Sequence, residues 1–388
     1  MGSVRLAPLA ALVTAAALAA PAFAGDIVIN QQGKALGNPR AGNPPAAGDF
    51  AGSQWEIVDE TLDGVTYRIP DVPQPQTLPA SAVKAVYHDP ETIPADLARG
   101  RAAAERGDWA GARDSLSRVA KDAEALPWAK AEAAFLAADS FVGEGNAQEG
   151  EKALAAFKAA FPKSKWITTA TARRANALMA LEKIDEAKAE YASLKKLPGV
   201  SEDVGIESDF WLVWIDEQVA ARRNDQNGLN NALKGYEALM QKLSGKSQYE
   251  GLARRAQVGR ASCLILLGKA AEAKTELEKL AKESKDPRVL ASIYNKLGLA
   301  TWRAAPADKT QLRQALFHYL RVVTLYSDEP GTDEDCAEAM FHAGELFREL
   351  KDQGPDWLAR ARREWNDVIA RYPGTEWSRR AKEALVSR

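Results

Sequence analysis

Two cysteines and three histidines in 388 residues leave little from which a metal centre or a covalent catalyst could be built. His88, His318 and His342 are scattered, and no ligand spacing such as H-E-x-x-H joins any of them to a second donor, so no metal and no cofactor is expected. Charge of one sign is equally scarce. With 51 basic side chains against 53 acidic ones, the chain lacks the basic excess that marks a nucleic-acid binder. Long apolar runs are missing after Ala24, which leaves no later segment to cross a membrane. Neither a nucleophile elbow G-x-S-x-G nor an EF-hand loop occurs. Gly245-Lys246-Ser247 imitates the end of a phosphate-binding loop, but the glycine required five residues earlier is Met240. These absences exclude the common enzyme signatures, and the chain is not expected to be an enzyme.

What is present begins with a targeting segment. Arg5 is the one charged side chain before Ala24, Leu6 to Ala20 is apolar and alanine-rich, and Ala22-Phe23-Ala24 is a small-x-small cleavage site. The expectation is a signal peptide over residues 1–24, a mature chain starting at Gly25, and a periplasmic or secreted destination; an uncleaved anchor is the other reading, disfavoured because the run is shorter than the ~20 apolar residues that span a bilayer. A lipid anchor would need a cysteine at the cleavage site, and the first cysteine is Cys263.

From Gly25 to Asp89 the composition shifts to Gly, Pro, Thr and Val without helical periodicity, which predicts a small β-rich region. Asp26–Asn30 reads as a strand. Trp55–Thr61 and Val65–Ile69 read as a hairpin around Leu62-Asp63-Gly64, and Val83–His88 as a further strand. Residues 33–51 and 70–79 are expected to be mobile loops. So small a core is marginal alone, and the region is expected to lean on the first helices.

Helical periodicity starts after Pro90 and is clearest from Leu252 to Ala281. There a small residue (Ala261) is followed seven later by a turn glycine (Gly268), then by Ala273, Leu277 and Leu280. The same offsets return in Gly100, Gly107, Ala112, Leu116, Val119 and in Ala138, Gly145, Gly150, Leu154, Phe157. They return again in Ala175, Glu182, Ala187, Tyr191, Leu194, where the turn residue is not glycine. A fourth unit is irregular, with Ala232, Tyr236 and Leu239 after a long first helix over about Asp203–Arg222 that carries Trp211 and Trp214. In the sixth and seventh units the spacing from Gly298 to Ala315 equals that from Gly344 to Ala361, five residues wider than elsewhere. Tyr319, Val322 and Tyr326 there match Trp365, Val368 and Tyr372. A short helix from Glu376 to Ser387 would cap the array. Small residues recur because two helices approach closely only where side chains are small, and larger ones fill the space beside them. Asp108, Asn146, Asp185 and Asp286-Pro287 supply helix starts.

This pattern resembles the tetratricopeptide repeat (TPR) family over about Ile93 to Ala384. The resemblance implies a mostly α fold, an α-solenoid of about seven helical hairpins over residues 93–388, after the β-rich region of residues 25–89. It also implies a non-catalytic scaffold that binds a polypeptide partner on the concave face formed by first helices, here at the cell envelope. On that face fall Asn295, Lys296, Leu299, Trp302, Phe341, Glu345 and Arg348. Core packing is the other reading of Trp302 and Phe341. The chaperone-binding members hold a terminal carboxylate with Lys, Asn and Arg, of which only partial sets occur, Arg173 with Asn176 and Asn295 with Lys296, so that activity is not carried over. Asp328, Glu329, Asp333, Glu334 and Asp335 read as a solvated inter-repeat loop, with a partner-docking role as the other reading. An alternative to the scaffold is a spacer whose β region makes the specific contact, and a third reading is an enzyme with an unrecognised site.

Overall fold

The structure is a computed structural model and describes residues 25–70, 72–197 and 202–386. The expected targeting segment lies outside the described residues. Six strands come first: β1 (Ile27–Asn30), β2 (Ala35–Leu36), β3 (Glu56–Glu60), β4 (Gly64–Arg68), β5 (Gln76–Pro79) and β6 (Val83–Tyr87). They form two antiparallel sheets of order β2-β1-β6 and β3-β4-β5. The expected strands are present. The two expected loops, however, are structured: residues 35–36 pair with β1, residues 47–52 form a 3-10 turn that buries Phe50, and residues 76–79 form β5. Short polar segments of this kind carry no period of their own and are ordered by the strands they meet.

Fifteen helices follow: α1 (Ala95–Glu105), α2 (Trp109–Lys121), α3 (Pro127–Gly143), α4 (Ala147–Ala160), α5 (Ile167–Ala180), α6 (Ile184–Leu194), α7 (Glu202–Arg223), α8 (Gln226–Leu243), α9 (Glu250–Leu266), α10 (Ala270–Glu283), α11 (Pro287–Ala304), α12 (Lys309–Tyr326), α13 (Asp333–Glu349), α14 (Trp357–Arg371) and α15 (Glu376–Val386). They are the seven hairpins and terminal helix expected of a tetratricopeptide-like fold. The turn glycines adopt positive φ, 73° at Gly107 and 81° at Gly268. Glu182 and Asn224 take the same left-handed conformation without glycine's freedom, at φ 59° and 51°. Asp108, Asn146 and Asp286 cap their helices as expected, and Asp225 and Asp308 do so as well. Asp185 instead lies inside the first turn of α6.

The small-residue rule is visible atom by atom. A Cβ added at Gly100 would sit 2.5 Å from Leu116, one at Gly298 would sit 2.8 Å from the Tyr319 ring, and one at Gly344 would sit 2.4 Å from Trp365. Each first helix therefore gives way where a large side chain of its partner helix enters.

The chain divides into two compact units: one holds the described residues up to Leu178 with Leu194–Val204, and the other Met179–Ser193 with Gly205–Arg388. In the first unit the sheets and the first helices share one core, in which Val28, Ile57 and Val65 pack with Leu97, Leu116, Val119 and Trp128. A buried charged joint completes it. The His88 ring stacks on Trp128 at 3.6 Å, its Nε2 lies 2.9 Å from Glu60 Oε1, and its Nδ1 faces Asp26 Oδ1 at 3.4 Å. Lys165 Nζ donates to the same Glu60 oxygen at 2.7 Å. Asp26 also accepts the backbone N–H groups of Ile57 and Asp89. The β region leans on the helices, as its size requires.

Candidate functional site

In the second unit the first helices α9, α11 and α13 lie side by side, with the second helices packed behind them. The row curls: Arg222, at the end of α7, reaches Glu376, at the start of α15, with 2.5 Å between nitrogen and oxygen. A contact between helices so far apart in the row means that the first helices between them bend round a shared inner face.

The inner surface carries buried charge held by hydrogen bonds. On α11, Asn295 is fully buried and its amide donates to Asp335 O and Asp335 Oδ1 at 2.8 and 3.1 Å. Ser292 donates to Asp335 Oδ2 at 2.9 Å, and Lys296 Nζ pairs with Glu338 Oε1 at 2.7 Å. Further along the row, Glu217 of α7 is buried and accepts the Tyr236 hydroxyl at 2.6 Å. Arg255 of α9 lies over Phe210 and Trp211, 4.5 and 4.8 Å from the ring centres, and 3.7 Å from Glu207.

Electrostatics follow from this crowding. Burial, and then the Glu338 carboxylate, lift Asp335 to about 6. Burial, with Glu338 and Asp335 beside it, lifts Glu334 to about 7. Glu217 is also raised, chiefly by burial. Lys296 would lose its proton more easily through burial, but Glu338 outweighs that and raises it. The surface thus holds more negative charge than its own cations neutralise.

The residues expected at the site divide sharply. Lys296, Leu299, Trp302, Glu345 and Arg348 are half-buried on α11 and α13. Asn295 and Phe341 are not on the surface at all. Phe341 is 3% exposed, 5.6 Å from Trp377 of α15 between ring centres, with Arg380 over its face at 4.5 Å. The helix α15 takes the place beside α13 that a further first helix would take, and it covers Phe341 there. Glu345 is held 2.8 Å from His342 Nδ1, and Arg348 lies over Trp365 at 5.2 Å. Trp302 meets His342 edge to face at 6.0 Å. His318 lies instead against Tyr294, and burial with the nearby Arg321 and Lys274 lowers it to about 4.

Residues that the repeat pattern did not mark are central. Asp333, Glu334 and Asp335 open α13, where a loop was expected, and Asp335 with Glu338 forms the polar floor. The signal was available in principle, because Glu334 and Glu338 share the face of Phe341 and Glu345 at helical spacing. Among the described residues no group of three or more His, Cys, Asp or Glu is arranged to hold a metal ion, and no helix is long and apolar enough to cross a membrane.

No protein-family model matches the chain, and no curated protein matches its sequence. Solved structures do match it. A tetratricopeptide repeat protein from Parabacteroides merdae is 15% identical with a TM-score of 0.45, over 75% of this chain and 96% of its own. A Rap protein complexed with competence and sporulation factor is 10% identical with a TM-score of 0.45, over 74% of this chain and 78% of its own. The TPR2AB domain of yeast Sti1, in complex with pHSP90, is 14% identical with a TM-score of 0.23, over 69% of this chain and 96% of its own.

Proposed function

We propose that this protein is a non-catalytic scaffold, exported to the cell envelope, whose first helices in repeats five to seven bind a polypeptide partner. One observation carries the reading: Lys296, Leu299 and Trp302 on α11 and Glu345 and Arg348 on α13 keep part of their side chains open. Hydrogen-bonding, apolar and charged groups side by side suit an extended or helical peptide. The export reading rests on the apolar run and cleavage site before Gly25. In the first unit the β region shares a core with the helices, which disfavours the alternative in which the helices are a mere spacer for it.

Capture of partners from an envelope fraction tests the scaffold reading. Wild-type protein should retain a partner that Trp302→Ala releases, with a loss of about 2 kcal/mol if Trp302 is a hot spot. Thermal stability should change little. Equal retention by both proteins would overturn the site. N-terminal sequencing of the envelope material should begin at Gly25, and an intact Met1 in a membrane pellet would overturn the export reading.

A further inference from the structure

The inner surface of the second unit is unevenly charged, and the unevenness has an address. Glu334, Asp335 and Glu338 lie in the first two turns of α13, and the cation bonded to them is Lys296, on Glu338. Asp335 is held by neutral donors, Ser292 and Asn295. Glu334 sits in the crowded inner face with part of its side chain open to solvent and Trp377 as a neutral hydrogen-bond partner, and Glu376 of α15, itself paired with Arg222, is a further negative neighbour.

A second observation points to something missing from this surface. Asn295 is fully buried, and the orientation that lets its amide nitrogen donate to Asp335 leaves Asn295 Oδ1 without a partner. The hydroxyl of Tyr319 is likewise fully buried and unpartnered, in the field of Glu338 and Glu345. In repeat four the corresponding reach is used, since Tyr236 donates from its second helix to Glu217. Buried polar atoms are ordinarily satisfied, and of the unpartnered ones these two adjoin the carboxylates of Asp335 and Glu338, where the polar network is incomplete. Acceptors and carboxylates in excess call for a donor that carries positive charge.

We propose that the start of α13, with Glu334, Asp335 and Glu338, receives an arginine or lysine side chain from a basic segment of the polypeptide partner. This rests on the scaffold reading and specifies the chemistry of its ligand. The cation sits between the carboxylates of Glu334 and Asp335, and Trp302 and Leu299, further along α11, take the apolar part of the same segment.

The probe is a fluorescein-labelled peptide of alternating arginine and alanine, compared by anisotropy with the same peptide carrying citrulline, which keeps the shape and removes the charge. The purified protein should bind the arginine peptide and leave the citrulline peptide free. Glu334→Gln with Asp335→Asn should weaken binding at least about tenfold, the size of one lost charge-assisted bond. Glu272→Gln with Glu278→Gln, exposed on α10, should leave it unchanged. Because Asp335→Asn alters a buried network, Glu334→Gln alone, at an exposed position, carries the test should the double variant unfold, with a loss of at least about threefold.

Acidification adds a signature. Binding should weaken from about pH 8 to about pH 5 as Glu334 and Asp335 take up protons. The groups facing them are Glu338 on the same helix, Asn295, Ser292 and Lys296 on α11, Arg255 on α9, Glu376 and Trp377 on α15, and behind these Arg222 of α7 on Glu376 and Arg380 over Trp377. Equal binding of the citrulline peptide, or an arginine peptide indifferent to the inner pair, would overturn the proposal. If that happened while partner capture still depended on Trp302, the scaffold reading would stand and the basic ligand alone would fall.

Discussion

The joint around His88 in the first unit and the floor around Asp335 in the second are both buried clusters of carboxylates and cations, yet they are built to opposite rules. At the joint, Glu60 has two cationic partners, Lys165 and His88, and the imidazole is also stacked on Trp128. At the floor, carboxylates crowd one another and Lys296 bonds Glu338 alone. The pKa values record the difference. Burial would raise Glu60, but Lys165 and His88 outweigh it and bring it down to about 2. For Asp335 burial and Glu338 outweigh what Ser292, Lys296 and Asn295 oppose to them, for Glu334 burial and the crowding outweigh the Trp377 hydrogen bond, and the two rise to about 6 and about 7. A cluster whose charges are paired holds the fold together, whereas one left with excess charge has capacity for something else.

The largest effect expected is at the complete cluster. Removing one member of a buried ion pair strands the others, at a cost of about 3 to 5 kcal/mol. Glu60→Ala should therefore lower the stability of the first unit by that order in denaturant unfolding, with loss of hydrogen-exchange protection in β3, β6 and α3. A change below about 1 kcal/mol, the size of an exposed pair, would erase the contrast between the clusters.

The second unit relies on apolar packing where the first uses charge, and Phe341 under Trp377 is its counterpart to the His88 joint. Phe341→Ala should leave a cavity and cost about 3 to 5 kcal/mol. Trp302→Ala, at a half-buried position, should cost clearly less. Thermal unfolding of the two variants separates a core residue from a surface one, and equal losses would return Trp302 to the core.

The repeats were legible because their cause is local. A glycine or alanine faces a large partner side chain at a fixed offset, as with Gly298 and Tyr319, and the offset survives in the sequence even where the turn residue becomes Glu182. The charged clusters were not legible in this way. Asp26, Glu60, His88 and Lys165 are brought together by strand pairing and by the loop before α5, separations at which no sequence period operates. Asp335 looked like part of a solvated run because its neighbours Asp328, Glu329 and Asp333 are acidic too. Its partners Ser292 and Asn295 lie on the preceding first helix, one whole hairpin away. Phe341 fell on the expected face, and it is buried because α15 adds one more helix to the row.

Acid should separate the two units. Glu60 is depressed from 4.5 to about 2, so its stabilisation is fully present above about pH 4.5 and is lost as pH falls through about 2. The shift corresponds to ~3 kcal/mol as an order of magnitude. His88 is raised above 6.5, because Asp26 and Glu60 outweigh its burial, and its contribution is present below about 6.5 and lost as pH rises through the folded value. The first unit should therefore be most stable in mild acid and lose protection in strong acid. Hydrogen exchange at about pH 3 should show β3 and α3 opening before α11 and α13, and the reverse order would remove Glu60 from the role given to it.

The smallest effect belongs to Glu334, and its sign is the informative part. A carboxylate whose folded pKa is raised binds its proton more tightly in the folded state. Its contribution is therefore fully present below its unfolded value of 4.5 and is lost as pH rises through about 7. Above that value the ionised Glu334 opposes folding through Asp335, Glu338 and Glu376. Glu334→Gln removes the charge and keeps the shape, so it should raise the thermal midpoint of the second unit slightly at about pH 8 and leave it unchanged at about pH 4. Solvent reaches this side chain, and screening keeps the gain to a few tenths of a kcal/mol. The same substitution should weaken the arginine peptide. A variant that folds better and binds worse is what an uncompensated charge kept for a ligand requires, whereas a variant that loses stability at about pH 8 would show Glu334 to be part of the fold's own network.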